Sequence, residues 1–500
     1  MNSLSESERE RPADEESQEV LRDEDSLDEG PDVKFYPSCF EEVEDLERYE
    51  PDGFHPVHLG DLYNSGQYRI IHKLGLGGFS TVWLARDNHS DSIVALKIVA
   101  ADSSNDYKDL KTLQELAGNS SGPIILDHFP SLLNHFWLDG PNGRHLCLVL
   151  SVLGSSISRM SGTDRKLHPE VSRRAALQTT RGLSYMHTQG TCHGDLTGAN
   201  ILFGLSSKFA YFSGEEVYDQ LGKPETDVLK RISGEHTAPS APSYVVKTPD
   251  ISNIDPTMME DKICIIDFDQ SFHILDPPTT MLGTPSKYLA PEAIFELHAS
   301  SSSEVWALGC ATFRMRAGYD LFEVWGTGSP SDSIGEMINT IGELPEKWRH
   351  TRYDDDGVPI RKTDSQSEQN GVELSFFPKE RSLMKRIMSI SDEAKPSPTT
   401  DLQRDKIFWN PPWFHDGSSP PIEEGDSLDR EENEEKDDED DYTGLLKISL
   451  EEATSLHDLL SRILVYDPMQ RPSAEEILQH PRFTTAFYSR RIDGSHLDRD

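Results

Sequence analysis

Apolar residues recur in short runs with two different periods. Tyr68-Arg69-Ile70-Ile71-His72-Lys73 is strand-like, and β-branched Thr81 and Val82 open a second strand after a glycine-rich turn. Ile93-Val94-Ala95-Leu96-Lys97 reads as a buried strand ending in a cation. Over 106–117 the period changes: Leu110, Leu113 and Leu116 recur at near-helical spacing and Gly118 is a stop signal. Residues 169–188 give a helix opened by Pro169 in its first turn. Ile201-Leu202-Phe203 and Ile263-Cys264-Ile265-Ile266 are apolar strands. Two stretches, 1–34 and about 415–442, show no apolar period, so they predict a disordered tail and a disordered insert.

Those stretches coincide with the charge. The chain of 500 residues has a formal balance of −40, of which residues 1–50 carry −14 and residues 423–441 carry −11. The length suits two lobes or one domain with large insertions. Like-charge repulsion excludes sequence-independent nucleic-acid binding as a default and favours basic partners. Five widely spaced cysteines with no Cys-x-x-Cys argue against a disulfide frame or a zinc site. No run of 18 apolar residues occurs, and the N-terminus has no basic-then-apolar signal. The expectation is a soluble, monomeric chain placed in the cytoplasm, with nuclear entry left open.

The chemistry-bearing residues come in order. Leu74-Gly75-Leu76-Gly77-Gly78-Phe79-Ser80-Thr81-Val82 can bring backbone N–H groups close to phosphates, with Phe79 over them and Val82 capping a base. It is not a Walker loop, which needs Gly-Lys-Ser/Thr. Lys97, fifteen residues after Val82, closes an apolar strand and suits the α- and β-phosphates. Its acidic partner on the next helix is Asp109, with Glu115 as the rival. Cys192-His193-Gly194-Asp195-Leu196-Thr197-Gly198-Ala199-Asn200 holds an acid and an amide five residues apart in a tight loop. Asp195 can take the proton of an attacking hydroxyl, and the Asn200 carbonyl oxygen can face Mg²⁺. Asp267, ending the strand of Ile263–Ile266, is a costly unpaired carboxylate and a natural metal ligand.

With Gly283–Glu292, Glu304–Cys310, Tyr466–Ser473 and His480–Phe483 following, the chain resembles the eukaryotic protein kinases over 68–483. It is most similar to SR-protein kinases, particularly fungal ones, through His55–Asp61, Gly78–Leu84, the hinge-like His145–Gly154 and a spacer over 204–262. The resemblance implies an α+β, two-lobed kinase fold. A small antiparallel β lobe with one helix (about 68–153) follows an extension at 35–67 and precedes a larger, mainly α-helical lobe (about 154–483). Residues 484–500 are a tail. In the spacer, 215–222 is expected to be a short helix followed by a Pro-rich loop. Leu150 stands as gatekeeper, Ser151 to Leu153 would bond adenine, and Ala95 lies in the strand that Lys97 ends. Glu292 would pair with Arg471. The implied cofactors are ATP and Mg²⁺, and the implied partner is a basic Arg/Ser-rich protein segment.

Five positions depart from the family pattern. Gly194 replaces the arginine that senses activation-loop phosphate, implying a loop that orders without phosphorylation. Asp109 stands where the family has a glutamate one methylene longer, Thr197 where a lysine contacts the γ-phosphate, Asp269 replaces the metal-site glycine, and Glu304 replaces an Asp that braces the catalytic loop. Thr197, Asp109, Asp269 and Glu304 support an alternative reading as a catalytically weak scaffold. A third reading, a small-molecule phosphotransferase of the aminoglycoside or choline kinase type, rests on His193–Asn200 and Ile266–Asp269.

Overall fold

In a computed structural model, the described residues are 33–118, 127–161, 166–324, 328–360, 371–374, 376, 382–391, 408–409 and 447–484. The acidic insert at 415–442, the tail up to residue 32 and residues 485–500 lie outside them.

The strand-period runs build one antiparallel sheet of six strands in the order β1-β2-β3-β4-β6-β5. They are β1 (Leu62–Tyr63), β2 (Tyr68–Leu76), β3 (Ser80–Asp87), β4 (Ser92–Val99), β5 (Leu132–Gly140) and β6 (Gly143–Leu150). Bulges at Ile70/His72 and Lys73/Gly75 bend β2 as it enters the glycine-rich turn. In register, Val82 faces Lys97 and Ala95 faces Leu150. One helix, α1 (Lys108–Gly118), packs on this lobe, with Leu113 and Leu116 buried as their spacing predicted. Asp109 and Thr112 are buried on the same helix.

The larger lobe is organised by two helices, Pro169–Thr188 and Ser301–Ala317, which pack on one another. The second has buried side chains almost all round, with Trp306, Leu308, Ala311 and Phe313 at its centre. The catalytic strand Ile201–Leu205 pairs with Met259–Ile265 and with Leu153–Ser156. That three-stranded sheet delivers the loop 192–200, the turn after Ile265 and the hinge to one edge.

The extension read from residue 35 packs on the small lobe despite the net acidity of residues 1–50: Phe35, Tyr49 and Phe54 form a cluster with Ala100, Leu229 and Ala241. Glu44 is buried, ion-paired with fully buried Lys73 and accepting from the Tyr49 hydroxyl at 2.5 Å. Partnered burial offsets the charge that the composition alone counted against packing. In the spacer, the helix Gly214–Leu221 forms on a Ser213/Glu216 capping box. The segment after it is not only loop, since Thr226–Val228 pairs with Tyr244–Val246 as a ribbon.

Candidate active site

The glycine-rich turn, the hinge, β4 and the three-stranded sheet enclose a cavity of about 550 Å³ between the lobes. Leu74, Gly75, Leu76, Gly77, Ser80, Val82, Ala95, Lys97, Leu150, Ser151 and Leu153 line it, as do Asp109, Asn200 and Asp267. Gly78, Phe79 and Thr81 do not. Gly78 and Phe79 sit at the tip of the turn, with Phe79 43% exposed. Thr81 points the other way, because strand side chains alternate, and its hydroxyl accepts from Trp83 Nε1 at 2.9 Å. Ser155, Ser156, Arg159 and Ile251 also line the cavity, as does the segment Glu41–Val43. None carries a motif that flags it in the sequence.

Lys97 sits at the centre. Its Nζ donates to Asp109 Oδ2 at 2.6 Å and to Asp267 Oδ1 at 2.7 Å. Burial pulls the ammonium down, but Asp109 and Asp267 outweigh it and hold Lys97 well above the usual lysine range. Burial raises Asp267, yet Lys97 leaves it below the usual carboxylate range. Asp109 is the acidic partner, for Glu115 is exposed and lies 3.9 Å from Lys111. The short side chain suffices because α1 lies close: Asp109 Oδ1 also accepts the Phe268 N–H at 2.6 Å.

Asp195 lies half-buried at the turn of the catalytic loop. Asn200 Nδ2 donates to Asp195 Oδ2 at 2.7 Å and to its carbonyl at 2.9 Å. That fixes the Asn200 amide and turns its Oδ1 away from the bond. Asp195 Oδ1 is buried with no hydrogen-bond partner, which burial makes costly unless a donor arrives. Burial raises Asp195, against His193 and Asn200. His193 bridges the loop to the metal-side turn, Nε2 to the Ile266 carbonyl at 2.9 Å and Nδ1 to the Asp195 N–H at 3.1 Å.

The departing residues find structural roles. Gly194 has φ +83°, and a Cβ there would lie 2.2 Å from the Gln270 carbonyl oxygen, so no side chain fits. Its N–H donates to Glu304 Oε1 at 2.5 Å, while Glu304 Oε2 meets His187 Nε2 at 2.8 Å. Glu304 thus braces the loop in spite of its extra methylene. Thr284 Oγ1 donates to the Gly194 carbonyl at 2.6 Å, tying the activation-segment end to the same residue. Thr197 is buried. Asp269 is raised to about 6, first by burial and then by Asp267. Further out, Arg471 grips Glu292 bidentately at 2.6 and 2.8 Å.

The donor set suits a hard divalent cation. Asn200 Oδ1 and Asp267 Oδ2 are oxygens left over once the Lys97 and Asp195 bonds are made. Asp267 also holds φ +68°, a strained value for a side chain with a Cβ, which aims its carboxylate inward.

A family model described as the protein kinase domain matches residues 68–210 and 252–483, more than half of the chain. The chain belongs to the protein kinase domain family. Among curated relatives, it is similar to the serine/threonine-protein kinase spk-1 of Caenorhabditis elegans, 36% identical over 174 residues, 33% of this chain and 17% of that protein. Serine/threonine-protein kinase SKY1 of Saccharomyces cerevisiae is 34% identical over 206 residues, 39% of this chain and 28% of its own. Serine/threonine-protein kinase SRPK of Physarum polycephalum is 28% identical over 343 residues, 61% of this chain and 74% of its own. The matches to spk-1 and SKY1 therefore span well under two thirds of those relatives. A solved kinase domain overlaps 85% of this chain and 98% of its own, with TM-score 0.49 and 17% identity. The family-model match over 68–210 and 252–483 disfavours a small-molecule phosphotransferase, and the fold is the two-lobed α+β kinase fold.

Proposed function

We propose that this protein kinase domain transfers the γ-phosphate of ATP to a serine hydroxyl in basic, Arg/Ser-rich protein segments. The observation that carries the reading is the convergence of Lys97, Asp109, Asn200 and Asp267 on one side of an interlobe cavity of about 550 Å³, with Asp195 held behind that wall by its bond from Asn200. The glycine-rich turn covers the nucleotide, and the apolar side chains of Val82, Ala95, Leu150 and Leu153 sandwich its base. Lys97, kept charged by two carboxylates, pairs with the α/β-phosphates. Asn200 and Asp267 would hold Mg²⁺, which neutralises charge on the β- and γ-phosphates when bound. The Asp195 carboxylate, oriented by Asn200, takes the hydroxyl hydrogen and aims the oxygen for in-line attack.

The Arg/Ser preference is supported by the acidic surplus and by the names of the relatives, which include SRSF protein kinase 3 of Homo sapiens. Opposite charge accelerates encounter more than it tightens the complex. The test is transfer of labelled phosphate from ATP to an Arg/Ser peptide beside a charge-neutral serine peptide, across a salt series. The basic peptide should be preferred at low salt and lose rate steeply as salt rises. Equal labelling of both peptides at low salt would refute the substrate class. Replacing Asp195 with Ala should cost orders of magnitude in turnover and spare ATP affinity. Retained turnover in that variant would refute its role as base.

A further inference from the structure

The nucleotide cavity has a wall that the catalytic motifs do not supply. Glu41, Glu42 and Val43, from the segment ahead of the sheet, stand there with Ser155, Ser156 and Arg159. This segment is tied to both lobes. Glu44 is buried against Lys73, which leads into the glycine-rich turn. Glu42 Oε2 ion-pairs with Arg159 Nη2 just past the hinge, and Thr248 Oγ1 donates to the Glu42 carbonyl at 3.5 Å. Glu42 Oε1 has no protein partner among the described residues.

The charged groups of the cavity fall into two sets. Lys97, Asp109 and Asp267 bind one another at the phosphate end. Glu41, Glu42 and Arg159 make up the rest. A base held at the hinge, with its phosphates at Lys97, presents its sugar next to the residues that follow the hinge. A ribose offers two uncharged hydroxyl donors. A carboxylate already neutralised by an arginine accepts such donors strongly without repelling the polyphosphate as a bare one does.

We propose that Glu42 binds the sugar hydroxyls of the nucleotide, with Arg159 as the positioning residue that turns its carboxylate to the cavity. The proposal rests on the ATP reading of the cavity and adds that part of the nucleotide site lies outside the matched domain, which begins at residue 68. Calorimetric binding of Mg-ATP and Mg-2′,3′-dideoxy-ATP to the full chain tests it, with no phosphate transfer required. Wild type should prefer ATP by about tenfold, as a charged hydrogen bond gives. Glu42→Gln should shrink that preference to about twofold by weakening ATP alone, and Arg159→Met should fall between. Glu42 is half-exposed, so an unchanged melting temperature verifies that its variant folds. If the variant weakens both nucleotides equally, or tightens both, the segment is only a strap or a plug and the proposal fails. If wild type binds both equally, the proposal fails and the ATP reading survives. If wild type binds neither, both fall.

Discussion

Lengthening Asp109 to the glutamate of the family pattern should damage the site. Asp109 is 3% exposed and uses both carboxylate oxygens at 2.6 Å, one on Lys97 Nζ and one on the Phe268 N–H. Glutamate adds about 1.5 Å of chain between α1 and two partners already at bonding distance. Overpacking of this kind costs about 1–3 kcal/mol of stability. Relief requires either α1 to back away or Lys97 to swing off Asp267. Losing one charge-assisted bond costs about 1.5–3 kcal/mol, which is about 10- to 150-fold in kcat/KM. Asp109→Ala should be worse in stability, by about 3–5 kcal/mol, because a buried ammonium loses a partner. The assay is steady-state phosphorylation at varied ATP, beside thermal unfolding of wild type, Asp109→Glu and Asp109→Ala. A glutamate variant that equals or outruns wild type would refute the close-helix account, since it would mean that the working enzyme holds α1 further out.

Glu304→Gln keeps one acceptor oxygen where Gly194 N–H and His187 each need one. Turnover should drop about tenfold with KM for ATP little changed, as one bond of about 1–3 kcal/mol is lost, and an unaltered turnover would remove Glu304 from the bracing role. Asp269 titrates near 6 in the fold against an ordinary value of 3.8. A raised carboxyl value means that its stabilising share is present below about pH 4 and is lost as pH rises through about 6. Asp269→Asn should therefore gain melting temperature over wild type above pH 6, in chelator, with no difference below pH 4; the opposite slope would refute the burial assignment. Arg471→Met strands Glu292, 1% exposed, and should cost about 3–5 kcal/mol in urea unfolding, much of it recovered by adding Glu292→Leu. Equal stability of the single and double variants would show that the pair is not what holds the activation-segment end.

Chemistry that lies within a short stretch of chain was legible, because spacing along a strand or tight loop fixes distance in space. The five-residue separation of Asp195 and Asn200 becomes a 2.7 Å bond, and the register that sets Val82 opposite Lys97 follows from two neighbouring strands. The helix read over 169–188 forms as Pro169–Thr188. Contacts made across long separations left no local trace. Glu42 reaches Arg159 over 117 residues, and the Glu42 carbonyl meets Thr248 over 206. Summed charge also hid the packing of residues 34–50. A net acidity says nothing of which carboxylate has a buried lysine waiting, as Glu44 has in Lys73.

The departures from the family pattern look like losses when taken singly and act as a set in space. Gly194 gives up a side chain and gains the approach to Gln270 that a Cβ would forbid, which lets the longer Glu304 hold its N–H. Thr197 brings no charge to the site, while Asp269 adds a carboxyl that burial and the charges of Asp267, Asp109 and Asp195 push up. Asp109, Asp267 and Asp269 then share one ammonium, Lys97. Such a site repels a polyphosphate unless more positive charge enters with it. The oxygens left over on Asn200 and Asp267 mark where that charge can be held, and protonation of Asp269 would relieve the same excess. The balance of charge around Lys97 therefore ties the Asp269 substitution to the cation rather than to the base.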